Sequence, residues 1–103
     1  MRPEPRDPEL PRFADLPGGD LLAAGLEDLR RGVESIPALL AQIGAPRLRQ
    51  LAIDVPARAP GSPMPEHRLY ELLAREHGDN AHSRYNSLIR KLVSFTRAAA
   101  CAR

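Results

Sequence analysis

The clearest structural signal in the chain lies in residues 81–99, which read AHSRYNSLIRKLVSFTRAA. Apolar side chains recur there every three or four residues, which is the repeat of an α-helix with one buried face. We expect Phe95 at one edge of that face and Val93 at the other. The face itself consists of Tyr85, Leu88, Ile89, Leu92, Thr96 and Ala99.

The same helix is basic. Residues 81–103 contain no Asp or Glu, while Arg90 and Arg97 point away from the apolar face and Arg84 and Lys91 flank it. Residues 20–34 show the opposite bias, with four acidic residues against two arginines. The net charge of +2 hides this asymmetry, which predicts one basic and one acidic helix, able to pair with each other or with partners.

Four shorter helical patterns precede this stretch. The first has Asp20 as its predicted N-cap and weakens at Gly32, and Ser35 is a candidate N-cap for the second, which Gly44 ends. Pro46 opens a short third pattern, and Pro65 opens a fourth that closes at His77-Gly78-Asp79. Leu and Ala dominate the apolar residues and no stretch alternates as a strand would, so we predict an all-α fold, a small bundle of four to five helices.

Proline divides the chain into its parts. Residues 1–19 carry five prolines, which remove hydrogen-bond donors, so we predict a disordered Pro-rich tail. Residues 20–103 form a single predicted helical domain, interrupted by a Pro-rich linker at 56–65. A domain of this size buries limited surface, so we expect a protein partner or self-association.

Several site classes receive no support. One cysteine, Cys101, excludes an internal disulfide, and no apolar run reaches the length of a bilayer span. We therefore expect a cytoplasmic protein. His67, His77 and His82 lack the convergent spacing of zinc ligands, and we predict no metal, no cofactor and no catalytic site.

One enzymatic alternative stays open. Arg75 is followed after six residues by His82, a spacing that resembles the motif of the HEPN ribonucleases, small helical proteins of toxin–antitoxin pairs. Such a pair could combine proton transfer with stabilisation of phosphate charge. Glu76 departs from the family pattern, which commonly has Asn, Asp or His at that position, and the chain is short for the family. A second alternative is a nucleic-acid-binding regulator that uses the basic C-terminal helix.

Four stretches together resemble short bacterial proteins associated, as candidate antitoxins, with nucleotidyltransferase-like toxins. They are GLEDLRRG at 25–32, LLAQIGAPRLR at 39–49, EHRLYELL at 66–73 and AHSRYNSLIRKLVSF at 81–95. The resemblance extends over most of the chain from Asp20 onward. It implies a non-enzymatic partner that blocks the active site of a toxin.

Our preferred interpretation is a protein-interaction module with its working surface on the last two helices. Tyrosine rings bury large areas at interfaces, and cations suit the acidic rim of a nucleotidyltransferase site. Nucleic acid is possible but not favoured as a partner, and no membrane contact is expected. The predicted partner-binding residues are Tyr70, Arg84, Tyr85, Arg90 and Lys91.

Overall fold

The computed structural model describes residues 15–102, and within that range the chain is helical with no strand. Its helices, in chain order, are α1 (Gly19–Arg30), α2 (Ile36–Ile43), α3 (Ala45–Gln50), α4 (Pro65–His77) and α5 (Ala81–Ala102). A single 3₁₀ turn, Gly78–Asn80, joins α4 to α5. The predicted all-α bundle of four to five helices is confirmed. Residues 1–14 of the predicted disordered tail, 1–19, lie outside the described residues, whereas residues 15–18 form a turn and Gly19 already belongs to α1.

The first helix begins and ends at glycines. Gly18 caps it with a φ of 77°, so the helix starts at Gly19, and Asp20, which the sequence predicts as the N-cap, lies in its first turn. Gly32 has a φ of 71°, which lets the amide of Val33 donate to the carbonyl of Asp28 at 2.8 Å. The helix therefore ends where the position of Gly32 in the sequence predicts. Val33 lies beyond this turn and is exposed.

Side-chain capping sets the start of α2. The Ser35 hydroxyl accepts from the Ala38 amide at 3.1 Å, as predicted for an N-cap, and donates to Asp28 Oδ2 at 2.7 Å. Pro37 lies in the first turn, where its missing amide hydrogen costs nothing. Ser35 thus ties the end of α1 to the start of α2, and the two helices pack closely around Gly25.

One hydrophobic core joins all five helices. Phe95, which we placed at the edge of the stripe on α5, is only 2% exposed and belongs to the centre of this core. The core reaches α5 from the α1 side because Gly18 lies against Lys91 and Phe95. The largest fully buried side chains are Phe95, Leu22, Leu39, Leu40, Leu48, Leu69 and Leu73.

The irregular segment between α3 and α4 is anchored to the domain. Ile53 and Val55 are buried just before the predicted linker at 56–65, and Arg49 Nη2 donates to the Val55 carbonyl at 2.7 Å. Arg58 donates to the side chain of Gln42 and to the carbonyl of Pro63. These contacts hold the linker against α2, and Pro65 then opens α4 as predicted.

Candidate functional site

Two of the predicted partner-binding residues meet at the outer edge of the α4–α5 hairpin. The rings of Tyr70 and Tyr85 lie 5.7 Å apart between centroids and are tilted by 50°. Tyr70 is 41% exposed, and Tyr85 is half-buried beneath it. We call these two residues the tyrosine pair. Their arrangement is typical of attractive aromatic contacts.

A carboxylate accompanies the tyrosine pair. Glu66 Oε1 is buried and has no hydrogen-bond partner among the described residues. Burial of the ring raises the pKa of Tyr85, and the negative charge of Glu66 raises that pKa further. The sequence pattern does not single out Glu66 as a site residue, although it lies one helical turn before Tyr70 on the same side of α4.

This environment predicts that stability falls in alkali. A tyrosine whose folded-state pKa is raised stabilises the fold fully below its ordinary pKa of 10.0. The contribution is lost as pH rises through the raised folded pKa, because unfolding then releases a proton. In a Tyr70→Phe background, where Tyr85 is the only tyrosine, absorbance titration should show phenolate forming above pH 10.0. Urea unfolding should show stability falling over the same range.

Glu66→Gln should lower the pKa of Tyr85 toward its ordinary value without reaching it, since burial of the ring remains. Glu76→Gln is the matched control, because Glu76 is an exposed acid of the same helix. A phenolate titration that does not move in Glu66→Gln would show that the carboxylate does not act on the ring.

The predicted cations lie away from the tyrosine pair. Arg84, Arg90 and Lys91 are all exposed on α5. At about 100° per residue, Arg90 lies about 140° around the helix from Tyr85. Arg84 and Lys91 occupy the edge of the buried stripe on the side away from Arg90. The five predicted residues therefore form a tyrosine pair and a separate basic surface, not one patch.

The basic helix is also electrostatically unpaired. Among residues 15–102, no hydrogen bond or ion pair involves the side chain of Arg84, Arg90, Lys91 or Arg97. The ion pairs that do form lie elsewhere: Arg30 with Glu27, Arg31 with Asp28, Arg68 with Glu34 and Glu71, and His77 with Glu76. Glu27 and Asp28 thus pair with the neighbouring Arg30 and Arg31 rather than with α5, and the cationic side chains of α5 are exposed.

The alternative catalytic residues show no assembled site. Arg75 is exposed in the last turn of α4, and His82 is exposed in the first turn of α5. His82 Nε2 lies 3.2 Å from Asn86 Nδ2, its neighbour one turn along the helix. The ribonuclease interpretation stays a prediction, which loss of RNA cleavage in His82→Ala would test.

A groove of about 330 Å³ opens between the end of α1, α2 and the linker. Its polar side chains are already engaged, because Glu34 accepts from Arg68 and Gln42 accepts from Arg58. Such a groove lacks the free convergent polar groups of a catalytic pocket.

Within the described range, no cluster of three or more His, Cys, Asp or Glu side chains could hold a metal ion. The same residues contain no helix with the length and apolar character needed to cross a membrane. No protein-family model, curated protein or solved structure matches the chain. The features of the described residues that point to a function are the tyrosine pair and the basic surface of α5.

Proposed function

We propose that the chain is a non-enzymatic protein-interaction module, an antitoxin-like partner that neutralises a nucleotidyltransferase-type toxin. The observation that carries the proposal is the tyrosine pair, presented on a helical hairpin whose basic helix has no internal counter-charges. The resemblance of residues 25–95 to candidate antitoxins supports the same function.

The tyrosine pair supplies the anchor. A tyrosine buries a large area at small entropic cost, and aromatic anchors dominate the energetics of many interfaces. Tyr70 is positioned by its contact with Tyr85 before any partner arrives, so little ordering is needed on binding. The exposed part of Tyr70 is the part of the hairpin that a partner would cover.

The cations of α5 supply long-range attraction. A nucleotidyltransferase site is rimmed by metal-binding carboxylates, so a positive surface is complementary to it. Arg84, Arg90 and Lys91 need not all touch the partner, because steering acts over about 10 Å at moderate salt. Because the tyrosine pair anchors the partner and the cations only steer it, the two groups can lie on different sides of α5.

The proposal predicts capture of the product of the neighbouring gene. Co-expression should relieve the toxicity of that gene, and the purified proteins should form a complex at micromolar concentration. Tyr70→Ala should weaken the complex by about 30-fold, the effect of removing a central anchor. Met64→Ala is the matched control, because Met64 is 59% exposed at the start of the same helix and should change affinity little.

Charge variants test the second element. Arg84→Ala with Lys91→Ala should slow association and reduce its salt dependence, while dissociation changes little. Arg30→Ala, which removes an exposed cation of α1, is the control. A chain that stays alone beside its neighbour's product, or a complex indifferent to Tyr70→Ala, would contradict the proposal.

A further inference from the structure

The solvent side of α5 carries a second pattern that the tyrosine pair does not use. Between its cations the helix presents serines: Ser83 and Ser94 are exposed and Ser87 is half-buried. No acidic residue lies on the helix, and the remaining positions on this side are the small residues Ala98 and Cys101. We call this side the phosphate face. Its members are Ser83, Arg84, Ser87, Arg90, Lys91, Ser94 and Arg97.

The cations of the phosphate face form two rows. Arg84 and Lys91 are seven residues apart, and so are Arg90 and Arg97, which spaces each pair by about 10.5 Å along the axis. The rows lie about 120° apart around the helix, with the serines between them. A rod of this kind holds positive charge along both edges and hydroxyl donors along its centre.

We propose that the phosphate face binds duplex DNA, with α5 lying along the major groove. An α-helix fits a groove about 12 Å wide, and the two rows would then meet phosphates of the two strands. Arginine, lysine and serine are the side chains that commonly donate to phosphate oxygens. The inference goes beyond the proposed antitoxin function and does not depend on it.

The composition of this face favours DNA over a protein or a single strand. Protein interfaces centre on large apolar or aromatic anchors, and the phosphate face has none. Single strands are held by stacking on aromatic rings, but Tyr85 lies about 180° around the helix from Ser94. The major groove of duplex RNA is too deep and narrow for side chains to read.

The two rows are not equivalent. Lys91 lines a notch with Asp20, Leu21 and the turn at Gly18, so an exposed carboxylate stands near the first row. Arg90 and Arg97 face open solvent farther from α1. Removing the second row should therefore be the more informative change.

The test is fluorescence anisotropy with a labelled random-sequence duplex of about 24 base pairs, long enough for several phosphate contacts. Four phosphate contacts predict a slope of about −3.6 for log affinity against log salt, a loss of about 150-fold between about 50 and 200 mM salt. Arg90→Ala with Arg97→Ala should reduce the slope to about −1.8 and the loss to about 12-fold. Arg30→Ala with Arg31→Ala removes two exposed cations of α1 and should leave the slope unchanged.

Three results would overturn the proposal: no binding at the lowest salt, a slope that the Arg90/Arg97 double variant does not change, or equal displacement of the duplex by polyglutamate and by unlabelled duplex. Circular dichroism of each variant checks that the fold is retained. We expect it to be retained because the substituted side chains are exposed. Tyr70→Ala should leave DNA binding unchanged while weakening the toxin complex, so the two proposals can fail separately.

Discussion

Gly25→Ala should destabilise the protein by at least about 3 kcal/mol, a large part of the stability of a chain this size. A Cβ atom at position 25 would lie 2.1 Å from the carbonyl oxygen of Pro37 and 2.6 Å from its carbon. Both atoms belong to the backbone of α2, so no side-chain rotation can relieve the overlap. The helices would have to separate, which exposes core leucines on both.

Whether Gly25→Ala lowers or raises the free energy of unfolding distinguishes an effect of packing from an effect of helix propensity. Alanine is a better helix former than glycine by about 1 kcal/mol, so propensity alone predicts that Gly25→Ala is stabilising. Urea unfolding followed by far-UV circular dichroism measures the difference. The control is Ala24→Gly, at the exposed neighbouring position of α1, which should cost only about 1 kcal/mol.

Gly44 is a second glycine at a close contact, and we expect a smaller effect there. A Cβ atom at Gly44 would lie 2.6 Å from Leu92 Cδ1, which is the end of a flexible side chain. Leu92 can shift, so Gly44→Ala should cost about 1 kcal/mol, near the low end for overpacking. If Gly25→Ala proved more stable than the native chain, the close crossing of α1 and α2 would be incorrect.

Much of the fold was predictable because its boundaries are set locally. The Ser35 cap, the Gly32 stop and the Pro65 start depend on residues within one turn, and the structure confirms each. The role of Gly25 was not predictable, because it depends on where the Pro37 carbonyl lies after α2 folds back on α1. The pattern of leucines predicts that α1 packs, but it does not specify the distance of approach.

The candidate site was predictable only in part for the same reason. Tyr70 and Tyr85 lie on the apolar sides of helices joined by a three-residue turn, so their contact follows from the sequence. The sequence predicts Arg90 as a cation of the same surface, although helical geometry alone separates it from Tyr85. The involvement of Glu66 was not predictable, because the burial of its Oε1 depends on the packing of α4 against α5.

The buried face of α5 shows how tertiary contacts shift a helical stripe. The sequence places Tyr85 and Ile89 on this face and Phe95 at its edge, but Tyr85 and Ile89 are only half-buried, while Phe95 is buried together with Leu92, Thr96 and Ala99. The turn that begins α1 packs against the backbone of Lys91 and against Phe95, since a Cβ atom at Gly18 would lie 3.0 Å from the Lys91 carbonyl oxygen and 3.6 Å from Phe95 Cβ. This contact shifts the centre of the buried face of α5 toward Phe95. The spacing of apolar residues along the chain does not reveal such a shift.

Phe95→Ala should therefore cost about 3–5 kcal/mol, the range for a buried phenylalanine that leaves a cavity. The loss combines the transfer of the ring to water with a void that the start of α1 can only partly close. If Phe95 stood at the edge of the stripe, as the sequence predicted, α1 and solvent would fill its place at little cost.

Val93→Ala is the matched control, because Val93 is 41% exposed two residues away on the same helix. It should change the free energy of unfolding by less than about 0.5 kcal/mol, as exposed substitutions usually do. Urea unfolding of both variants, compared by midpoint and slope, separates lost stability from a changed unfolded state. Equal costs for the two variants would mean that α5 packs through a face centred between Phe95 and Val93. In that case the phosphate face would be rotated about the helix axis by the same angle. The Phe95 measurement therefore also tests the orientation of α5 that the DNA proposal assumes.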